Sequence, residues 1–149
     1  MDAYPQVLRC IVGYGLAVLA CTASAVDLAP SEFAILTQLG EGNIGRLQQS
    51  GAAHLISALQ TGSLQRLSVQ QSGELNTATL AQNGMMNTVS LIQHGVLNSA
   101  SVTQSGTQIS ATVLQDGQGH HADIRQYKSF SDAVIRQEGH QGRAILVQY

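Results

Sequence analysis

Tryptophan is absent from the 149 residues, and aromatic residues of any kind make up only 4%. A core built on large rings is therefore excluded. Charged residues are also scarce at 11%, and the formal net charge is −2. Removing residues 1–25 does not change that charge, because Asp2 and Arg9 cancel. Such a surface holds no broad attraction for a polyanion, so nucleic acid is not an expected partner. It also lacks the charge that keeps most soluble monomers apart, and so permits self-association.

The two cysteines, Cys10 and Cys21, both fall in the first 25 residues. That segment reads as an irregular secretory signal peptide. It has one basic residue, Arg9, an apolar run from Cys10 to Ala20, and a small-x-small site at Ala23-Ser24-Ala25. The apolar run is short for a membrane span and contains Gly13 and Gly15. Val18-Leu19-Ala20-Cys21 weakly imitates a lipoprotein cleavage site, and that alternative stays open. Cleavage after Ala25 would leave a chain without thiols, hence without disulfides or a cysteine-based metal site or nucleophile. Residues 26–31 form a leader in which Pro30 disfavours strand pairing, and 32–149 form one domain.

What the chain has in abundance is a period. Gln38, Gln49, Gln60, Gln71, Gln82, Gln93, Gln104, Gln115, Gln126, Gln137 and Gln148 follow one another at 11 residues without a slip. A fixed period of this kind marks a repeat architecture. Two residues after the glutamine stands a glycine in nine of ten units: Gly40, Gly51, Gly62, Gly73, Gly84, Gly95, Gly106, Gly117 and Gly139, with Lys128 the exception. The fifth position is mostly polar and carries Asn43, Asn76, Asn87 and Asn98. The seventh is small or aliphatic, and the ninth is always apolar.

Positions five, seven, nine and eleven alternate onto one face of a β-strand, as Asn76-Thr77-Ala78-Thr79-Leu80-Ala81-Gln82 shows. The four residues after each glutamine are expected to form the turn, with glycine supplying its backbone freedom. A glycine in every unit argues against helix. Strand plus turn reverses the chain, so two units make one layer. The expected fold is all-β: a β-solenoid, amyloid in type, of about five 22-residue two-strand layers. Its two parallel sheets face each other across a narrow core. Strands 32–38, 54–60, 76–82, 98–104, 120–126 and 142–148 fall in one sheet, and 43–49, 65–71, 87–93, 109–115 and 131–137 in the other. Position seven then faces position nine, small against large. Position five faces position eleven, and amide hydrogen bonds between Asn and Gln are expected to close both ends of the core.

The unit Gln-x4-Asn-x5-Gln, seen from Gln38 to Asn43 to Gln49 and in the units of Asn76, Asn87 and Asn98, resembles the curlin repeat. The resemblance covers 27–149 and identifies the chain with the curlin family of extracellular amyloid subunits. Asp27-Leu28-Ala29 and Ser31-Glu32-Phe33 are similar to the start of the family's minor, nucleating subunit, whereas Gln148-Tyr149 is closer to the major one. The resemblance implies a secreted, cell-surface protein of the curli fimbrium that seeds the major curlin. Its partners would be the major curlin, itself, the curli secretion channel with its accessory factors, and the outer cell surface. No cofactor is implied. The alternative is a bulk fibre subunit. The units with His54, Gln65, Ile109, His120, Ser131 and Gly142 at position five depart from the pattern, as does Tyr127-Lys128-Ser129-Phe130. In the minor subunit the last, irregular repeats hold the protein at the cell surface, a role that would fall here on 120–149.

An open solenoid end offers unpaired backbone groups and repeat ladders as a template. Arg125, Lys128, Arg136 and Arg143 are candidate surface anchors, with a set of charges that slow premature aggregation as the plainer reading. The five histidines lack zinc-type spacing. Serines and threonines recur in equivalent outward positions, whereas a nucleophile needs one distinct environment. An enzyme built on a β-helix would carry inserted loops, and none interrupts the period. A surface-binding solenoid would need regular threonine rows, which the chain holds only in part.

Overall fold

Alternation within each 11-residue unit puts apolar and amide side chains on one face and hydroxyls on the other, so every strand has one face to bury. The computed structural model describes residues 7–12, 20–25 and 32–149, the first two segments as backbone only. The 26–31 leader lies outside the described residues, as does part of the expected signal segment. The described residues form thirteen strands: β1 (Val7–Val12), β2 (Ala20–Ala25), β3 (Phe33–Leu39), β4 (Ile44–Ala52), β5 (Leu55–Ser63), β6 (Arg66–Glu74), β7 (Thr77–Met85), β8 (Thr88–Val96), β9 (Ser99–Thr107), β10 (Ser110–Gln118), β11 (His121–Gln126), β12 (Asp132–His140) and β13 (Arg143–Gln148).

Odd-numbered strands form a seven-stranded sheet in the order β1-β3-β5-β7-β9-β11-β13, and even-numbered strands a six-stranded sheet from β2 to β12. All pairs are parallel. From β3 onward each residue pairs with the one 22 positions later, as Gln38 with Gln60 and Gln49 with Gln71. This is the β-solenoid of about five turns that the period predicts. Among the described residues no helix is long and apolar enough to cross a membrane.

The core lies between the sheets. Small residues of the seventh position (Ala34, Ala78, Ala100, Ala122) pack among the ninth-position Leu36, Leu80, Val102 and Ile124, all buried. Complementarity is close enough that a Cβ at Gly45 would run into the Leu36 side chain.

The turn is tighter than the four residues expected. β4 runs through Ser50, Gly51 and Ala52, all still paired with β6, and only Ala53 and His54 separate it from β5. Glycine bends the strand without ending its ladder. Gly62 has φ +117°, and a Cβ there would fall on the carbonyl oxygen of Gly84 in the next layer. The reversal itself is made at position four, where Ala53, Leu64, Leu75, Met86, Leu97, Gln108, Phe130 and Gln141 all have φ between 54° and 59°. Their amides bond across layers, for example Leu64 N to Glu41 O at 2.9 Å and Leu97 N to Glu74 O at 3.0 Å.

Where Lys128 replaces the glycine, β11 stops at Gln126 and the corner is rebuilt from side chains. Ser129 Oγ accepts from Thr107 N at 3.1 Å, and Ser131 Oγ donates to Lys128 O at 2.6 Å. β12 then resumes in register with β10.

Candidate functional site

Eleven glutamines, one per strand from β3 to β13, point into the core and form two ladders. In the odd-numbered sheet Gln38 donates to Gln60, Gln60 to Gln82, Gln82 to Gln104, Gln104 to Gln126 and Gln126 to Gln148. In the even-numbered sheet Gln49 donates to Gln71, Gln71 to Gln93, Gln93 to Gln115 and Gln115 to Gln137. The Nε2···Oε1 distances run from 2.6 to 3.1 Å. Every step has the same sense, because the same nitrogen also donates across the core to a backbone carbonyl 16 residues earlier. Gln93 to Thr77 O and Gln82 to Arg66 O, at 3.0 and 3.2 Å, are examples from the two sheets. A carbonyl can only accept, so the amide orientation is fixed. The 16-residue step is the same from either sheet, so each strand climbs by roughly half of the ~4.8 Å strand spacing.

Position five works differently from the expected Asn–Gln pairing across the core. Asn76 Nδ2 donates to Ser72 O at 2.9 Å and Gly95 O at 3.0 Å, and its Oδ1 accepts from Asn98 N at 3.0 Å. Asn43, Asn87 and Asn98 repeat this set. The short asparagine side chain therefore serves the corner backbone, while the glutamines serve one another. His54 and His120 are buried in the same column. Each stands in for asparagine, with Nε2 against Ser50 O or Asp116 O and Nδ1 accepting from Asn76 N or Gly142 N. Gln65 is one methylene too long. It reaches Thr61 O and Gly84 O, but its buried Oε1 has no partner.

Both sheets finish at an open edge, β12 in one and β13 in the other. Ala144, Leu146 and Gln148 of β13 are only partly buried, because β13 is the edge strand of its sheet among the described residues. Val134, Ile145 and Val147 are exposed on the outer faces beside them. Tyr127 and Tyr149 stack with centroids 5.6 Å apart at the rim.

The four basic residues near this end do not form one patch. Arg125 on β11 and Arg136 on β12 lie on opposite outer faces and are paired, Arg125 with Asp123 at 2.8 Å and Arg136 with Glu138. Lys128 and Arg143 are exposed, and among the described residues neither has an ion-pair partner. Among the described residues no group of three His, Cys, Asp or Glu side chains is placed to hold a metal ion.

Sequence reasoning missed the corner ridges. Leu75 and Leu97 lie one layer apart on one corner, and Leu64, Met86 and Phe130 line the other, all exposed. Left-handed backbone disfavours such residues, so their identity carried no signal.

The family model for the curlin associated repeat matches residues 66–95 and 98–127, less than half of the chain. Those two stretches hold the six strands β6 to β11, in which the glutamine ladders are continuous. No curated protein and no solved structure matches the chain.

Proposed function

We propose that the chain is a curlin-type, non-enzymatic subunit of extracellular amyloid fibres, and that it acts as the minor subunit that nucleates the major curlin. The observation that carries this reading is the open edge at β12 and β13. It displays the glutamine ladder, an apolar inner face and unpaired backbone groups in the geometry of one further layer. A chain joining it is spared the first layer, where closure entropy is not yet offset by stacking. The curlin repeats suggest a curli subunit, and the Asp27-Leu28-Ala29 leader favours the nucleator over the bulk role.

Export would follow cleavage after Ala25, and retention at the outer cell surface would fall to 120–149. Lys128 and Arg143 are the better anchors within that segment, because Arg125 and Arg136 are already paired. A seeding assay tests the proposal. Substoichiometric chain is added to purified major curlin and the thioflavin lag is followed, with a copy truncated after Gln126 beside it. A shortened lag supports nucleation, and loss of surface retention in cells carrying the truncated copy places the anchor in 127–149. An unchanged lag, with fibres formed by the chain alone, would mark it as a bulk subunit.

A further inference from the structure

The two ends of the stack are chemically opposite. At β3 the odd-numbered ladder ends in an acceptor: Gln38 is 3% exposed, and its Oε1 has no partner. β1 and β2 sit in register on this end, but they set Val12 against Gln38 and Ala25 against Gln49, two residue types without an amide. At the other end the ladders finish in donors. Gln137 and Gln148 each donate once, to His121 O at 3.2 Å and Asp132 O at 3.2 Å. The glutamines of inner layers also donate to the layer beyond. One spare amide N–H therefore remains on each terminal glutamine, and a buried acceptor waits at the opposite end.

The strand count decides how these ends can meet. Of the eleven strands β3 to β13, six lie in one sheet and five in the other. Each strand climbs half a layer, so the first empty place after β13 belongs to the sheet of β12. Setting β3 of a second copy on β13 would leave a gap of one strand above β12 and bare the inner face of β13.

We propose that two copies of this chain join head to tail with their sheets exchanged. β3 of the incoming copy extends the sheet that ends in β12, and its β4 extends the sheet that ends in β13. Gln137 then donates to the incoming Gln38, and Gln148 to the incoming Gln49. Ala133 and Ile135 continue into Ala34 and Leu36, which keeps the small and large core columns in line. Asp132, Arg136 and Arg143 fall beside Phe33, Thr37 and Ile44, so no like charges are brought together. β1 and β2 give way, because they leave the Gln38 acceptor unpaired and the incoming copy does not. Removal of residues 1–25 would clear the same edge. The interface is heterologous and does not close on itself, so it propagates. The arrangement holds for a seed and for a bulk subunit alike, so the seeding assay and the test below fail independently.

Disulfide trapping tests it on the full chain with Cys10→Ser and Cys21→Ser. Ile35, Val134 and Ile145 occupy the same outward position of their units. Directly paired parallel strands bring Cα atoms within disulfide reach. The pair Ile35→Cys with Val134→Cys is expected to give a ladder of covalent multimers on oxidation during assembly, and Ile35→Cys with Ile145→Cys to stay monomeric. The reverse pattern, or assembly without multimers from either pair, overturns the exchanged junction. So does a chain that does not assemble. A second variant keeps β1 and β2 in question: Val12→Gln with Ala25→Gln gives them the missing amides and should slow assembly about tenfold. An unchanged rate would show that those strands do not guard this end.

Discussion

The amide of Gly142 donates to Nδ1 of His120 at 3.0 Å, and a Cβ at position 142 would come within 2.8 Å of that same nitrogen. The two departures from the repeat pattern are thus one adjustment. The imidazole is larger than the asparagine it replaces, and at this layer a side chain at 142 would meet it, whereas Asn76 keeps its side chain one layer on from His54. Gly142→Ala should cost about 1–3 kcal/mol by overpacking. In a His120→Asn background the cost should largely disappear. Chemical denaturation of the four proteins of this cycle measures the coupling, and additive effects would contradict it.

Inner and terminal glutamines should differ sharply. Gln93→Leu leaves one N–H of Gln71 Nε2 and the Oε1 of Gln115 without a partner, both inside the core. Each orphaned group costs about 1–3 kcal/mol. Gln148→Leu removes a partner from Gln126 Nε2 and from Asp132 O, both beside the half-exposed last strand. The denaturation midpoints of the two variants should fall in that order.

Gln65→Asn should stabilise the chain by about 1 kcal/mol. The shorter side chain restores an oxygen placed to accept from Asn87 N, as Asn43 already does for Gln65 N at 3.0 Å. A lower denaturation midpoint would refute this reading of the unpaired Oε1.

Leu97→Asn should also stabilise, by about 0.5–1 kcal/mol, because asparagine tolerates the φ of 59° that leucine adopts at a cost. It removes an exposed apolar side chain as well. Binding of a hydrophobic dye to the assembled protein should fall if the Leu75–Leu97 ridge is an accessible surface.

The glutamine period was enough to set strand positions, sheet membership and register, because each Gln must meet the residue 22 positions on. Finer points were hidden for physical reasons. The partners of Asn76 and its equivalents depend on how close the corner carbonyls lie, which the letters do not state. The direction of the ladders depends on which end of each amide faces the next layer, and Gln reads the same either way round. The left-handed residues at position four are Leu, Met and Phe as often as anything smaller, so the backbone there had no marker.

The half-layer climb has a consequence familiar from the growth of crystals. A flat terrace must wait for a cluster to nucleate each new level, whereas a screw dislocation carries a ledge that every addition renews and none removes. This stack is wound in the same way. Whichever strand comes last overhangs its neighbour, so any strand added there would meet an edge to pair with and a wall to pack against.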